Sequence, residues 1–358
     1  MFTENEKRQI LEKVRLTRKE DLLRTIRGED PESVQLINFG WDDWAGSSAY
    51  RIIGPNIFPG SIINGIKDGQ RDAWGVPYAC NAATNYAPIP APGRTLLTCD
   101  DLPRWRDLVT VPRIPDDISW EKLAKSDWET SRIDHRESAA CALIDIKPFQ
   151  QLVALMGFEE CFLAMYEEPE YVHEILDEIQ ALYKTIAENT IRYYTVDMVY
   201  LRDDTASKLS PFFSVEMYRE FLLPVYREIT APYTNEGIPL QFHNCGKCEA
   251  FLDDMASFGV KLWDPAQTMN DLFGIQKRYG RNLFLCGAFD WVPPLEVSRI
   301  KRAETDEMIR SYVDRMTENA PFFAMGGGMA AAGDKAMQQV NSWMQEELFF
   351  YTRAYYTR

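Results

Sequence analysis

The sequence predicts an α/β protein whose strands form a (β/α)8 barrel. From residue 137 to 358, short apolar runs alternate with helical patterns and give about seven strand–helix units, as expected for a parallel sheet. Polar residues follow these strands at successive junctions. No Gly-x-Gly-x-x-Gly or phosphate-loop motif follows a predicted strand, which disfavours a dinucleotide-binding sheet. An open doubly wound sheet remains the alternative.

The composition is that of an acidic globular protein. The chain has 358 residues, 46% of them hydrophobic, and a formal net charge of −15. This charge disfavours nucleic acid as a partner. No apolar run reaches the ~18 residues that span a membrane, and the charged N-terminus is unlike a secretory signal. Seven scattered cysteines are typical of reduced thiols. We predict a cytoplasmic protein that forms a single domain and binds neither membranes nor nucleic acid.

The chain begins with a predicted N-terminal helical extension, residues 1–33. Residues 4–16 have the pattern of an amphipathic helix. The segment Thr17-Arg18-Lys19-Glu20 is a capping box that begins a second helix, which Gly28 ends. Residues 34–39 read as the first buried strand.

Residues 40–136 form a loop-rich insertion after that strand. The segment contains nine prolines and six of the nine tryptophans of the chain. Aromatic residues are rare in disordered linkers, so we predict an ordered insertion with short strands that covers one end of the barrel. The alternative is a structural subdomain that does not contact a ligand.

The regular region begins after this insertion. The predicted strands are residues 140–145, 197–201, 240–243, 260–263, 283–286 and 322–325. The predicted helices are residues 149–156, 158–166, 169–194, 215–233 with a kink at Pro224, 248–258, 270–279, 295–318 and one that begins at Asp334.

Working residues of such a barrel lie at the carboxyl ends of its strands. The predicted catalytic residues there are Asp203, Asp204, His243, Asn244, Cys245 and Asp264. One of the two adjacent aspartates is expected to act on the ligand and the other to cap a turn. The predicted substrate-binding residues are Trp41, Gln267, Asp290 and Gly327.

His243 and Cys245 are two residues apart, so both side chains can face the same way at a strand end. Imidazole and thiolate suit zinc, and Cys286 is the best further ligand, with Asp264 next. Two alternatives are an active site without metal and a purely structural role. Cys245 and Cys248 also have the spacing of a redox pair.

These junctions resemble the uroporphyrinogen decarboxylase superfamily of TIM barrels. The resemblance is sharpest in Phe242-His-Asn-Cys-Gly246 and in Gly259-Val-Lys-Leu-Trp-Asp264. True decarboxylases carry an arginine-rich motif after the first strand, where this chain has the acidic, aromatic segment from Asn38 to Trp44. The similarity is therefore to the corrinoid-dependent methyltransferase branch. His243 and Cys245 match its zinc motif, but the later cysteine, expected within residues 325–328, is missing.

The resemblance implies transfer of a methyl group between a small-molecule donor or acceptor, a methylated substrate or tetrahydrofolate, and a corrinoid carried on a partner protein. Zinc is a further cofactor if Cys286 or Asp264 substitutes for the missing cysteine. A lyase acting on a carboxylated substrate and a non-catalytic corrinoid or small-ligand binder are the alternatives. The aromatic tail, residues 348–356, is interpreted as helix packing or as the contact of a homodimer.

Overall fold

Eight parallel strands form the central sheet of the protein. A computed structural model describes residues 2–37, 48–58, 65–82, 86–290, 296–327 and 334–357. The sheet strands are β1 (Gln35–Leu36), β2 (Tyr50–Ile53), β5 (Ala139–Ile144), β6 (Met198–Arg202), β7 (Leu240–His243), β8 (Val260–Ala266), β9 (Phe284–Gly287) and β10 (Phe323–Ala324). A separate antiparallel pair consists of β3 (Tyr78–Ala79) and β4 (Ile89–Pro90).

The strand order is β1-β10-β9-β8-β7-β6-β5-β2, so the first two strands lie at the two ends of the sheet. The Ala49 amide nevertheless donates a hydrogen bond of 2.9 Å to the Leu36 carbonyl. This bond joins the segments that carry β1 and β2, so the sheet curls as in a TIM-like fold. The predicted parallel α/β architecture is confirmed to this extent.

One strand of the sheet comes from the loop-rich segment. In β2, Tyr50 and Ile53 pair with Ala139 and Ala142 of β5. The sequence predicts about seven strand–helix units and leaves room for one more strand in this region. β2 is that strand.

The helices connect the strands along the outside of the sheet. Those that the structure describes are α1 (Glu4–Lys13), α2 (Arg18–Ile26), α3 (Trp105–Leu108), α4 (Trp120–Ser131), α5 (Pro148–Met156), α6 (Phe158–Glu167), α7 (Pro169–Tyr193), α8 (Val215–Met217), α9 (Leu223–Asn235), α10 (Leu252–Ser257), α11 (Leu272–Tyr279), α12 (Arg302–Thr317) and α13 (Lys335–Thr352). None of them is long and apolar enough to cross a membrane.

Three helix predictions need correction. The predicted helix 248–258 begins with a 3-10 turn, Glu249–Phe251, and its α-helix α10 covers Leu252–Ser257. The single helix 215–233 is divided, because a π-helical turn, Tyr218–Leu222, separates α8 from α9. Pro224 stands just after this turn and has no N–H to donate, which favours the wider turn before it. The predicted helix 295–318 begins at Arg302, after a short 3-10 turn at Val297–Arg299.

The inner face of the sheet forms a core of its own. Its inward side chains alternate along the strands with side chains that pack against the outer helices. We call the inward set the inner cluster: Leu22, Ile26, Ile37, Ala49, Tyr50, Ala139, Cys141, Leu143, Met198, Tyr200, Leu262, Phe284, Cys286 and Phe323. The residues of α2 in this cluster supply apolar surface to the interior of the sheet.

Candidate functional site

The carboxyl ends of β6, β7 and β8 bring the candidate site together. Arg202 lies opposite His243 in the pairing of β6 with β7, and His243 lies opposite Asp264 in the pairing of β7 with β8. Residues aligned in this way on neighbouring parallel strands lie about 5 Å apart. The predicted residues His243 and Asp264 are therefore direct neighbours.

One edge of the His243 ring is held by a buried carboxylate. The Nδ1 atom of His243 lies 3.0 Å from Oδ2 of Asp264. The Tyr200 hydroxyl donates to the same oxygen at 2.8 Å, and the Gln241 amide donates to Oδ1 of Asp264 at 2.8 Å. Because Asp264 is fully buried, these contacts fix the carboxylate and, through it, the orientation of the imidazole.

The other edge of the ring faces a thiol and a second carboxylate. Nε2 of His243 lies 3.2 Å from Sγ of Cys245 and 3.7 Å from Oδ1 of Asp204. The Cys245 amide donates to the same Asp204 oxygen at 2.8 Å. A nitrogen, a sulfur and an oxygen thus lie within 4.8 Å of one another, and all three side chains are half-buried.

The charges around the ring favour a protonated imidazole in the metal-free protein. Burial lowers the pKa of His243, but the neighbouring Asp264 carboxylate outweighs burial and raises it to about 10. Burial raises the pKa of the Cys245 thiol, although His243 acts in the opposite direction. Without a further positive charge, Cys245 is therefore a thiol at neutral pH.

Two of the three spacings in this donor set match those around a zinc ion, and the third, between the Cys245 sulfur and the Asp204 carboxylate, lies within 4.8 Å. Ligand atoms of tetrahedral zinc lie about 3.3–3.6 Å apart, given metal–ligand lengths of ~2.0–2.3 Å. The distances of 3.2 Å and 3.7 Å from the His243 nitrogen bracket this spacing. The imidazole also presents Nε2 while a carboxylate engages Nδ1, which is the usual support of a metal-binding histidine.

The third donor in this group is Asp204. The sequence instead favours Cys286 as the third ligand. Cys286 is fully buried in the inner cluster, and burial raises its pKa well above the ordinary thiol value. Asp204 reaches the group because it follows β6, the strand next to β7. Asp264, the other candidate ligand, instead contacts the far edge of the ring.

The adjacent aspartates have different surroundings. Asp203 is fully buried and accepts hydrogen bonds from the amides of Phe149 and Gln150 and from the Tyr226 hydroxyl. It therefore caps the first turn of α5, a helix earlier in the chain. Burial raises the pKa of Asp203 to about 7. Its neighbour Asp204 faces the site.

Asn244 stands between His243 and Cys245 in the sequence, but its side chain makes its contacts away from their reactive groups. Its side-chain oxygen accepts from the Thr205 amide at 2.9 Å, and its nitrogen donates to the Thr205 hydroxyl at 2.7 Å. Its carbonyl accepts from the Trp263 indole at 3.1 Å and from the Cys248 thiol at 3.3 Å. Asn244 thus ties the loop after β7 to the loop after β6.

The predicted substrate-binding residues are spread around the rim. The Gln267 side-chain oxygen accepts from the Gly246 amide at 2.7 Å. Asp290 accepts from the amide and hydroxyl of Thr268. Gly327 has a positive φ of 132° beside the last helix. Trp41 lies outside the described residues.

Three side chains of the site were missed by the sequence reasoning. Tyr200 and Gln241 hold Asp264, and the side-chain nitrogen Nε2 of Gln150 donates to Oδ2 of Asp204 at 3.3 Å. Alternation along β6 and β7 was an available signal, since Tyr200 and Gln241 each lie two residues before a polar strand-end residue. Nothing in the sequence marks Gln150, which belongs to a helix.

A cavity of about 670 Å³ opens beside this site. Gln150 belongs both to its wall and to the site. The loop-rich segment supplies apolar walls: Pro55, Ile57, Phe58, Trp74, Tyr78, Tyr86, Pro88, Pro90 and Pro112. The volume is ordinary for a small-molecule pocket.

Fold and site together define an α/β enzyme with its polar groups at the carboxyl rim of a curled parallel sheet. The family model described as "Uroporphyrinogen decarboxylase (URO-D)" matches residues 146–340, more than half of the chain. The protein belongs to this family.

Solved structures include a chain of similar fold. The protein resembles a methyltransferase from Methanosarcina mazei with a TM-score of 0.60 and 13% sequence identity, over 96% of this chain and 100% of that one. At this level of identity, the structural similarity is evidence for a shared fold alone. No curated protein matches the sequence.

Proposed function

We propose that the protein is a corrinoid-dependent methyltransferase built on a single (β/α)8-barrel domain. It would move a methyl group between a small molecule and a corrinoid carried on a partner protein. The observation that carries this proposal is the donor set of Asp204, His243 and Cys245, oriented from behind by Asp264. The fold shared with a methyltransferase and the membership of the family support it.

The three donors would hold zinc through Oδ1 of Asp204, Nε2 of His243 and Sγ of Cys245. Zinc in such a site lowers the pKa of a bound thiol or polarises a substrate heteroatom. Three protein ligands leave a position for substrate, as catalytic zinc sites do. His243 must be neutral to bind metal, so the single ring proton would stay on Nδ1, facing Asp264.

The remaining residues would position the reactants. Asp264, fixed by Tyr200 and Gln241, holds the imidazole in one orientation. Methyl transfer requires the carbon to lie in line between its donor and its acceptor, so rigid placement of the small molecule lowers the barrier. The apolar cavity walls would exclude water from that arrangement.

Metal analysis of the purified protein tests the donor set. We expect one zinc per chain in the wild type and at least tenfold weaker binding in Cys245→Ala and in Asp204→Asn. Cys286→Ala is the matched control, because it removes a thiol of the inner cluster, and it should retain zinc. Loss of zinc in Cys286→Ala with retention in Asp204→Asn would refute this ligand set.

Methyl transfer is tested with methylcobalamin and candidate acceptors, with the cobalamin spectrum as the readout. Purified corrinoid proteins should replace free methylcobalamin in the same assay. We expect demethylation that depends on the protein and is lost in Cys245→Ala. The absence of any spectral change with either form of corrinoid would count against the proposed activity.

A further inference from the structure

Among the described residues that line the cavity, one cationic side chain forms no ion pair with another described residue. Four charged side chains line it: Asp72, Asp145, Lys147 and Arg202. Lys147 forms an ion pair of 2.7 Å with Asp145. Asp72 accepts from the amides of Trp74 and Val76 and from the Gln151 side chain. These contacts engage three of the four charged groups, although the second carboxylate oxygen of Asp145, Oδ1, has no partner among the described residues.

Arg202 is different. Its Nε atom is buried and has no hydrogen-bond partner within the described part of the chain. Its side chain also joins none of the ion pairs that the structure describes there. A buried donor on a charged group without a partner is costly, so such a group is normally matched by an acceptor. An anionic ligand would supply that acceptor.

The position of Arg202 connects the cavity to the reactive groups. Arg202 is the last residue of β6 and lies opposite His243 in the strand pairing. The guanidinium group binds carboxylates through two parallel N–H bonds, a geometry that fixes the direction of the ligand. A carboxylate on Arg202 would therefore orient the rest of the molecule beside the site.

The rest of the cavity indicates the body of such a ligand. Phe58, Trp74, Tyr78 and Tyr86 line it together with several prolines. Flat apolar walls of this kind pack well against an aromatic ring. We propose that the cavity binds the small-molecule substrate, that this substrate is an aromatic carboxylate, and that Arg202 pairs with its carboxylate. The assignment as substrate rests on the proposed methyl transfer.

Calorimetric titration with benzoate and benzamide tests the pairing, because the two probes share a ring and differ in charge. The full-length protein is used without corrinoid or methyl donor. We expect benzoate to bind at least tenfold more tightly than benzamide. In Arg202→Met this preference should vanish through loss of benzoate affinity, while benzamide affinity changes less than twofold. Arg94→Met, which removes an exposed arginine outside the cavity wall, should behave as the wild type.

The results separate this proposal from that of methyl transfer. Equal affinities for the two probes, no binding of either, or an unchanged preference in Arg202→Met would overturn the carboxylate site, whatever the methyl-transfer assay shows. Should Arg202→Met fail to fold, Arg202→Lys decides, because one ammonium cannot reproduce two parallel bonds. Its preference for benzoate should fall at least threefold, and an unchanged preference would overturn the assignment. Benzoate selectivity without methyl transfer would leave the binding site standing and remove its role for a methyl-transfer substrate.

Discussion

The two sides of the rim differ in how their polar groups are satisfied. Around β7 and β8, the His243 ring, the Asp264 carboxylate and the Tyr200 hydroxyl are joined by mutual contacts of 2.8 to 3.1 Å. Around β5 and β6, the buried Asp145 Oδ1 and Arg202 Nε atoms belong to cavity-lining residues and have no partner among the described residues. Gln241 Oε1 on β7 likewise has none, but the nitrogen of the same side chain holds Asp264. A paired network fixes reactive groups in place, whereas unpaired polar atoms beside a cavity provide contacts for a ligand.

The largest effect is expected from breaking the paired side with Asp264→Asn. The substitution leaves His243 and Tyr200 facing an amide in place of a buried carboxylate. We expect a loss of about 3 kcal/mol in the free energy of unfolding, typical of a broken buried charge pair, measured by urea denaturation of the metal-free protein.

Asp290→Asn is the matched control, because Asp290 is an exposed carboxylate that also accepts from a neighbouring loop. Its loss should stay below about 1 kcal/mol. Equal losses in the two variants would contradict the special role given to the buried network.

A smaller effect is expected from disturbing the link between the two sides with Gly246→Ala. Gly246 has a φ of +93°, and an added Cβ would lie 2.5 Å from the Ser207 carbonyl oxygen and 2.6 Å from that of Ala206. Left-handed strain and this clash together should destabilise the protein by about 2–3 kcal/mol, as measured by urea denaturation.

Gly237→Ala isolates the strain, because Gly237 has a φ of +69° and nothing lies within 4 Å of its added Cβ. That variant should lose only about 1 kcal/mol. An equal loss of unfolding free energy in the two alanine variants would contradict the close approach of the loops after β6 and β7.

The third effect is a pH dependence of stability and concerns Asp203, whose folded pKa of about 7 exceeds the ordinary carboxyl value. Between about pH 4 and pH 7 the folded state therefore holds a proton that the unfolded state releases. The contribution of this proton to stability is complete at low pH and is lost as the pH rises, by about 1 kcal/mol per pH unit.

Urea denaturation across this range should show a shallower pH dependence in Asp203→Asn than in the wild type. Asp204→Asn should retain the wild-type slope, which then ends at a slightly lower pH, because burial raises the pKa of Asp203 more than the Asp204 charge does. A slope lost in Asp204→Asn and kept in Asp203→Asn would reverse the roles of the two residues.

Much of the fold could be predicted from periodicity. The strands β6, β7 and β9 fall within one residue of their predicted bounds, and the capping box at Thr17 begins α2 as expected. Of the predicted strand 34–39, β1 covers Gln35–Leu36, and residues 38 and 39 lie outside the described residues. The divided helix around Pro224 was predicted less well. There, local pattern competes with contacts that no single segment contains.

The sequence by itself determined where the candidate site lies. Polar residues after buried strands must meet at one edge, because the carboxyl ends of parallel strands share that edge. His243, Cys245 and the pair of aspartates were found in this way. Spacing along the chain also indicated that His243 and Cys245 can face the same side.

Only the tertiary structure decided which residues meet at that edge. The register of β6 against β7 and β8 brings Asp204 to the thiol, sends Asp203 to the start of α5, and leaves Cys286 in the inner cluster. Tyr200 and Gln241 join the site for the same reason. Register and strand order depend on the packing of the whole sheet, and distances of a few ångströms between separate strands are therefore absent from local sequence patterns.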